Sequence, residues 1–243
     1  IEVTLYTAPC ENVERPACNL KKMAKIVSDV MKQNMVLQKQ ECALRADVQD
    51  CIYVFVTDDK MLLQVGVAVT TKSGSVISGD ANVQTKLEDG KYLIAISDGM
   101  GSGKEARKSS TMAIAMLNKL LSSGFDKDTS LRLINASLAA ISEEDMYSTL
   151  DVSIFDLYAQ NLEFIKNGAC PTYVKNKRNV QVLKSLSLPT GILSDIDLVV
   201  YDKDLKDGDI LVMCSDGILD SSEEYTNKEL WLKFLLEDIE TDD

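Results

Sequence analysis

The sequence predicts an α+β protein in which helices pack on antiparallel sheets, and three observations support this class. The chain has 243 residues, of which 45% are apolar, so it can bury a sizeable core. Strand-like runs bounded by turn residues come first, two helical patterns follow, and more strand-like runs precede a last helix. This order differs from the alternating strands and helices of a parallel sheet and from an all-β barrel.

The first 62 residues differ in character from the rest and are predicted to form a separate N-terminal segment, with the main domain over residues 63–243. They hold four of the six cysteines and two of the four prolines. Within them, ACNLKKMAKIVSDVMKQNM (17–35) repeats apolar residues at helical spacing, and CIYVFVT (51–57) is typical of a strand. One helix and one strand are therefore expected here.

Regular patterns continue through the main domain. Two helices are expected at about 104–122 and 129–142, the first opened by a capping box of Ser102 and Glu105 and ended near Gly124. A last helix is expected at about 223–238. The strand patterns are QVGVAVTT (64–71), GSVISGD (74–80), KYLIAIS (91–97), STLDVSIFDL (148–157), NLEFIKNG (161–168), TYVKN (172–176), VQVLK (180–184), DLVVYD (197–202) and DILVMCS (209–215).

Composition excludes several classes of function. The formal net charge is −12, which opposes a nucleic-acid partner because such binding rests on clustered Lys and Arg. No apolar run reaches the ~18–20 residues of a membrane helix, and no signal peptide is visible, so the segment is expected to be soluble. The sequence contains no histidine, which removes Ser-His-Asp and Cys-His nucleophiles and every His-ligated metal site.

The six cysteines suit a reducing cytoplasm better than a secreted disulfide framework. Cys170 and Cys214 are isolated in apolar runs. The other four lie within the first 51 residues, at Cys10, Cys18, Cys42 and Cys51. Their spacings contain no CxxC, so the sequence favours unliganded thiols, with a zinc site as the alternative.

Two stretches end apolar runs on the same Ser-Asp-Gly: YLIAISDGMGSG (92–103) and ILVMCSDGILDS (210–221). A strand that ends in Asp-Gly places a carboxylate at the rim of a sheet, and the glycine lets the backbone turn its carbonyl beside it. Asp98, Asp216, and Asp80 at the end of VISGD are thus candidates for one site, with oxygen ligands that suit Mg²⁺ or Mn²⁺. Asp-Gly also makes ordinary turns, and both interpretations stay open at this point.

GSGKEA (101–106), directly after the first of these turns, has two further interpretations. A phosphate loop of the Walker type is excluded because Asp98 stands where it needs glycine and Glu105 where it needs Ser or Thr. A dinucleotide fingerprint, G-x-G-x-x-A, does match. However, the next pattern is a second helix, so the required strand–helix–strand unit is missing and a nucleotide-binding enzyme is disfavoured.

Seven motifs in fixed order extend the pattern: SGD, SDGMGSGKEA, YSTLDVSIFDL, NGACPTYV, LPTGIL, KDGDILVMCSDGILD and ELWLKFL. In this order they resemble the metal-dependent PP2C-type Ser/Thr phosphatases, and within them the stage II sporulation protein E family, over residues 63–243. The resemblance implies a four-layer αββα sandwich with a binuclear Mn²⁺ or Mg²⁺ site at one rim. Residues 1–62 resemble the end of that family's regulatory region.

The resemblance also implies roles for the residues of the site. Asp98 would bridge both metal ions, the Gly99 carbonyl would bind one of them, and Asp216 would bind the other. Asp80 would hold water at the metals, and Asp220 would stand nearby. Asp80, Asp98 and Asp216 are thus the catalytic candidates for hydrolysis of a phosphoserine without a covalent protein intermediate.

Two departures from the family are visible. Its members close with an Asp-Asp-Met-Thr strand that supplies a further metal ligand, and no such motif follows Asp243, so we expect a domain truncated at its C-terminus. Relatives often carry Glu in the helix after SDGMG, where this chain has Ser109 and Met112. The alternative function is therefore a PP2C-fold regulatory or binding module that is inactive in this truncated form.

The partner implied by the resemblance is a phosphorylated anti-anti-sigma factor, whose dephosphorylation activates a sporulation sigma factor. Cell-division proteins and self-association are further partners implied for the full-length protein. That protein would be anchored in a membrane, with this segment as its cytoplasmic domain. No nucleic acid is expected as a partner.

Overall fold

The computed structural model divides the chain into two units, Ile1–Leu62 and Leu63–Asp243. It describes residues 1–10, 18–46, 48–71, 77–87, 89–100, 103–141, 147–177, 179–185, 187–192, 199–221 and 225–239. No helix within these ranges combines the length and the apolar character needed to cross a bilayer.

The first unit contains a three-stranded antiparallel sheet and one helix: β1 (Glu2–Thr7), α1 (Leu20–Met31), β2 (Met35–Glu41) and β3 (Cys51–Thr57). β3 is the central strand, and its alternation buries Cys51, Tyr53 and Phe55 on one face. Asn19 caps α1, since its Oδ1 accepts a hydrogen bond from the Lys22 N–H at 3.0 Å. The helix and β3 are as the sequence predicts. β1 and β2 are not predicted, because most of their side chains are exposed and their apolar signal is weak.

The second unit contains two antiparallel sheets and four helices in its described part. Its strands are β4 (Asp80–Lys86), β5 (Tyr92–Asp98), β6 (Leu150–Asp156), β7 (Asn161–Asn167), β8 (Thr172–Asn176), β9 (Asn179–Leu183), β10 (Val199–Asp204) and β11 (Ile210–Val212). Its helices are α2 (Gly103–Ser122), α3 (Lys127–Ile141), α4 (Asp216–Leu219) and α5 (Lys228–Asp238). The strand orders are β10-β7-β6-β5-β4 and β11-β8-β9.

The elements of the second unit stack in four layers. One face of the five-stranded sheet packs on α2 and α3 through Leu93, Ala95, Val152, Ile165, Leu117, Leu131, Ile134 and Leu138. Its other face meets the three-stranded sheet through Phe155, Leu162, Phe164, Val174 and Leu183. α5 covers the second sheet, where Leu232 and Leu236 pack with Tyr173 and Val180. The α+β class and the αββα arrangement are thus confirmed.

Two strand predictions in this unit are wrong. Residues 64–71, QVGVAVTT, form no strand; Val65, Val67 and Val69 are exposed, and nothing in the described part of the chain pairs with this segment. The strand predicted over DILVMCS ends early, at Val212. A strand requires a neighbour to accept its backbone hydrogen bonds, and alternation alone does not reveal whether that neighbour exists.

Other differences concern boundaries. The strand expected to end at Asp80 instead begins there, and residues 72–76 lie outside the described residues. Ser102, the predicted cap of α2, also lies outside them. α5 begins at Lys228 rather than near 223, because Asn227 caps it: its Oδ1 accepts a hydrogen bond from the Leu230 N–H at 3.2 Å.

A buried ion pair ties the two sheets of the second unit together. Lys166 on β7 is fully buried and its Nζ lies 2.7 Å from Asp151 Oδ1 on the neighbouring strand β6. The same Nζ donates to Thr172 Oγ1 at 2.7 Å, and that hydroxyl donates to Asp151 Oδ2 at 2.9 Å. Because Thr172 opens β8 of the other sheet, this closed triangle spans the sandwich without leaving the ammonium group unpaired.

Replacing Lys166 with Met removes the cation and leaves the buried Asp151 carboxyl group without its counter-charge. We expect the free energy of unfolding to fall by ~3–5 kcal/mol, as is typical when one partner of a buried pair is removed. The measurement is urea denaturation of the wild type and the variant. Adding Asp151→Leu should recover most of the loss, because the double variant buries no unpaired charge.

Lys228→Met provides the matched control. Lys228 Nζ lies 2.5 Å from Asp220 Oδ1, but the two side chains are 45% and 59% exposed, so the loss should stay below ~1 kcal/mol. The proposed stabilisation by the buried pair would be contradicted if both lysine variants lost the same free energy of unfolding. It would also be contradicted if the double variant recovered none of that loss.

Candidate metal centre

Asp80 and Asp98 are brought side by side by the pairing of two neighbouring strands. Asp98 is the last residue of β5 and Asp80 the first of β4. The two strands are antiparallel, and their register places Asp80 directly opposite Asp98. The sequence therefore predicts correctly that both lie at one rim of a sheet, although Asp80 opens its strand rather than ending it.

Asp216 reaches the same place from the other sheet. It lies four residues after the end of β11 and is the first residue of the short helix α4. Ser215, just before it, donates a hydrogen bond from its Oγ to Asp80 Oδ2 at 2.8 Å. The two Ser-Asp-Gly phrases thus meet at one site, but their backbones differ: the first completes a strand and the second opens a helix.

The three carboxylates are close enough to perturb one another. Burial, then the charge of Asp216, then that of Asp80 raises the pKa of Asp98 to about 8. Hydrogen bonding to both neighbours contributes in the same direction. A carboxyl group with this pKa keeps its proton near neutral pH unless a cation compensates the negative charge around it.

Strand β6 and the segment before it hold Asp98 in position. The Asp98 N–H donates to Thr149 Oγ1 at 2.9 Å, and the Thr149 N–H donates to the Asp98 carbonyl at 2.8 Å. Ser148 forms a further bridge to Gly99. The backbone of the Asp98-Gly99 turn is therefore held from the side opposite to Asp80.

Gly99 must be glycine because a helix packs directly against it. A Cβ built at this position would lie 1.8 Å from the Ala106 carbonyl oxygen on α2, so any side chain would force the two apart. A Cβ built at Gly79 would lie 3.5 Å from both Asp98 Oδ1 and the Gly99 carbonyl oxygen. These two oxygens therefore face the same small region beside Gly79.

A cavity of about 80 Å³ adjoins the carboxylates. Its lining includes Asp98, Asp151, Asp216, Cys170 and Cys214. Burial raises the pKa of Cys170 to about 12 and that of Cys214 to about 11. Both thiols stay protonated near neutral pH, so neither is suited to act as a nucleophile.

Asp151 is the residue of this region that sequence reasoning overlooks. It lines the cavity together with Asp98 and is at the same time the partner of the buried Lys166. One signal could have revealed it: a strand buried along almost all its length, LDVSIFD, carries a carboxylate at an inward position. Asp220, expected nearby, is paired with Lys228.

The donor set fits a divalent cation. It comprises carboxylate oxygens and a backbone carbonyl, the hard ligands that Mg²⁺ and Mn²⁺ prefer, and the repulsion among the three aspartates would be relieved by positive charge. Among the described residues no three Asp, Glu or Cys side chains already converge as a formed metal site. Binding would therefore require the carboxylate oxygens to move closer together.

Comparison with known proteins gives a family match. The family model of stage II sporulation protein E matches residues 88–241. Stage II sporulation protein E of Priestia megaterium is 29% identical over 243 residues, all of this chain, and that of Bacillus subtilis is 32% identical over 221 residues, 91% of this chain. The chain spans 41% and 27% of the lengths of these two relatives. Phosphoserine phosphatase RsbU of Bacillus subtilis is 25% identical over 183 residues, 74% of this chain and 53% of the relative.

Comparison with solved structures also finds similarity to phosphatases. The PP2C phosphatase domain of SpoIIE from Bacillus subtilis with a fragment of its regulatory domain superposes with a TM-score of 0.79 at 30% identity, covering 99% of this chain and 68% of that one. The serine/threonine phosphatase Stp1 of Staphylococcus aureus, at 15% identity, a TM-score of 0.59 and coverage of 74% and 87%, shows the fold alone. The chain belongs to the stage II sporulation protein E family and has the fold of PP2C-type serine/threonine phosphatases.

Proposed function

We propose that the second unit is the catalytic domain of a metal-dependent protein serine phosphatase. The observation that carries the proposal is the meeting of Asp80, Asp98 and Asp216 from two sheets at one rim, with Asp98 at a pKa of about 8. Carboxylates that repel one another in a partly buried place indicate a function, since folding alone gives no reason to gather them.

The site residues proposed to hold Mn²⁺ or Mg²⁺ are Asp98, the Gly99 carbonyl and Asp216, with Asp80 placing water beside them. Divalent cations, when bound, supply acidified water and stabilisation of the negative charge that develops on the phosphoryl oxygens. The hydrogen bonds between Thr149 and Asp98 fix the backbone of the central ligand.

The remaining groups of the site favour direct attack by water on phosphorus. Ser215 donates a hydrogen bond to one oxygen of Asp80 at 2.8 Å, which fixes the direction of the carboxylate proposed to hold water. The two thiols that line the cavity have pKa values of about 12 and about 11, which makes them poor nucleophiles. The chain has no histidine to activate a serine.

The proposed substrate is the phosphoserine of an anti-anti-sigma factor, and its dephosphorylation would activate a sporulation sigma factor. The similarity to stage II sporulation protein E and to a phosphoserine phosphatase supports this choice. With a net charge of −12, the chain would recognise its partner by shape and local patches rather than by overall attraction. Membrane anchoring and contacts with cell-division proteins are proposed for the longer protein.

One observation favours a second candidate function. Residues 64–71 form no strand and expose Val65, Val67 and Val69, so the second unit presents apolar side chains to solvent along this segment. A PP2C-fold module that binds a partner without turnover in this form is consistent with such exposed apolar side chains.

The activity test measures Mn²⁺-dependent phosphate release from a phosphoserine protein by the wild type and by Asp98→Asn and Asp216→Asn. Each substitution removes a carboxylate ligand, and we expect phosphate release to fall at least ~100-fold, the scale on which loss of one charge-stabilising group acts. Asp202→Asn, an exposed position on β10, is the matched control and should retain wild-type activity.

Phosphate release that survives both ligand substitutions would overturn the assignment of the site. A wild type that binds Mn²⁺ through these aspartates but releases no phosphate would support the binding module instead. Binding is measured separately by calorimetry, so that the two results can be distinguished.

The raised pKa of Asp98 also predicts how stability depends on pH in the metal-free chain. The folded chain holds the Asp98 proton up to about pH 8, whereas the unfolded chain releases it near the ordinary value of 3.8. The contribution of Asp98 to the free energy of unfolding therefore falls as pH rises from 3.8 to about 8, and it levels off above pH 8. Urea denaturation in the presence of a chelator, compared between the wild type and Asp98→Asn, measures the difference.

Asp98→Asn has no proton to lose, so its advantage over the wild type should grow from pH 4 to pH 8. Saturating Mn²⁺ should remove that trend. Parallel pH profiles for the two proteins without metal would contradict a raised pKa at Asp98.

A further inference from the structure

Four of the cysteines are gathered at one edge of the sheet in the first unit. β1 ends at Thr7 opposite Cys51, and β2 ends at Glu41 opposite Ile52. The ends of β1 and β2 and the start of β3 therefore share one edge. The four residues stand at that edge or close after it: Cys10 three residues beyond β1, Cys18 just before α1, Cys42 just after β2, and Cys51 as the first residue of β3.

Side-chain contacts show that these thiols share one environment. Cys18 Sγ lies 3.1 Å from the Tyr53 hydroxyl oxygen, and Tyr53 is two residues from Cys51 on the same face of β3. Burial raises the pKa of the Cys10 thiol, followed by the charge of Cys18 and a hydrogen bond to it and by the charges of Cys51 and Cys42. All three other sulfur atoms thus lie within electrostatic reach of Cys10.

The loop after β2 has hydrogen bonds of the kind that orient thiolate ligands. The Ala43 N–H donates to Cys51 Sγ at 3.4 Å. The Arg45 and Ala46 N–H groups both donate to the Cys42 carbonyl, at 2.9 and 2.8 Å, which turns the chain tightly after Cys42. The Ala43 N–H is thus the one backbone donor to sulfur among these, and such a donor fixes the direction of a thiolate and offsets part of its negative charge.

Helix α1 provides an independent observation. Its N-terminus follows Cys18, and its first turn contains Lys21 and Lys22 and no acidic residue. Two cations next to the positive end of a helix dipole are unfavourable on their own account. Four thiolates around one divalent cation carry a net negative charge, which would balance both the lysines and the dipole at this end.

The four cysteines are not joined to one another by disulfides. All four are free thiols, so each sulfur atom is available to bind a metal ion.

We propose that Cys10, Cys18, Cys42 and Cys51 bind one Zn²⁺ as a structural four-thiolate site in the first unit. Soft thiolate ligands select Zn²⁺ over the hard cations that suit carboxylates. Within the described part of the chain, these four side chains do not already converge on a single point. As at the aspartates of the second unit, binding would require the ligand atoms to move closer together.

The experiment determines metal content and thiolate ligation in the whole chain, purified under reducing conditions without chelator. We expect one zinc per chain, and its replacement by Co²⁺ should produce the charge-transfer absorption of cobalt thiolates. Cys10→Ser and Cys42→Ser should lose the zinc and the absorption. Val30→Ser, at an exposed position on α1 away from both groups of ligands, is the control and should keep both.

The aspartates of the second unit are an alternative location for zinc, and the double variant Asp98→Asn, Asp216→Asn distinguishes them. It should retain the zinc and the thiolate absorption if the cysteines hold the metal. Loss of zinc in this variant would assign the ion to the carboxylates and overturn the proposal.

A measurement on the unmutated chain covers the case in which a cysteine variant fails to fold. Removing zinc with a chelator should lower the temperature of unfolding of the first unit, and adding Zn²⁺, but not Mg²⁺, should restore it. A zinc-free chain with four thiols that react freely, disulfides between them found by peptide mapping, or iron in place of zinc would each overturn the proposal.

Discussion

Repulsion among Asp80, Asp98 and Asp216 is the constraint to which much of the second unit responds. Burial, followed by the charges of Asp216 and Asp80, raises the pKa of Asp98 to about 8, so gathering these carboxylates destabilises the folded chain. The aspartates stay together because three different segments carry them: the start of β4, the end of β5 and the start of α4. Hydrogen bonds from Thr149 and Ser215 hold two of these segments in place. The stability of the folded sandwich thus offsets the repulsion among the negative charges gathered at one rim.

The buried contacts among Asp151, Lys166 and Thr172 also help to hold the three aspartates in their relative positions. It joins the two sheets close to the cavity that Asp98 and Asp216 line. An apolar contact would allow the sheets to slide, whereas an ion pair with fixed donors and acceptors tolerates only one relative position. The spacing between aspartates from different sheets is thereby tied to interactions away from the aspartates themselves.

Much of the fold and part of the site can be predicted from the sequence, and the failures have a common physical cause. The helices and most strands of the second unit follow from periodicity, and Asp98 and Asp216 follow from the repeated Ser-Asp-Gly. Residues 64–71 show the alternation of a strand but lack a partner among the described residues. The strand predicted over DILVMCS likewise ends at Val212. Both failures depend on which segments become neighbours, and local pattern carries little information about that.

The cysteines of the first unit illustrate the same limit. Without CxxC spacing their sequence favours ordinary thiols, but the antiparallel order of three strands brings the ends of β1 and β2 to the start of β3.

The hydrogen bond between Ser215 and Asp80 joins residues 135 positions apart. Contacts at such separation close a long loop at considerable entropic cost and form slowly. A chain whose last two helices, α4 and α5, have come loose therefore contains all three aspartates but no assembled site.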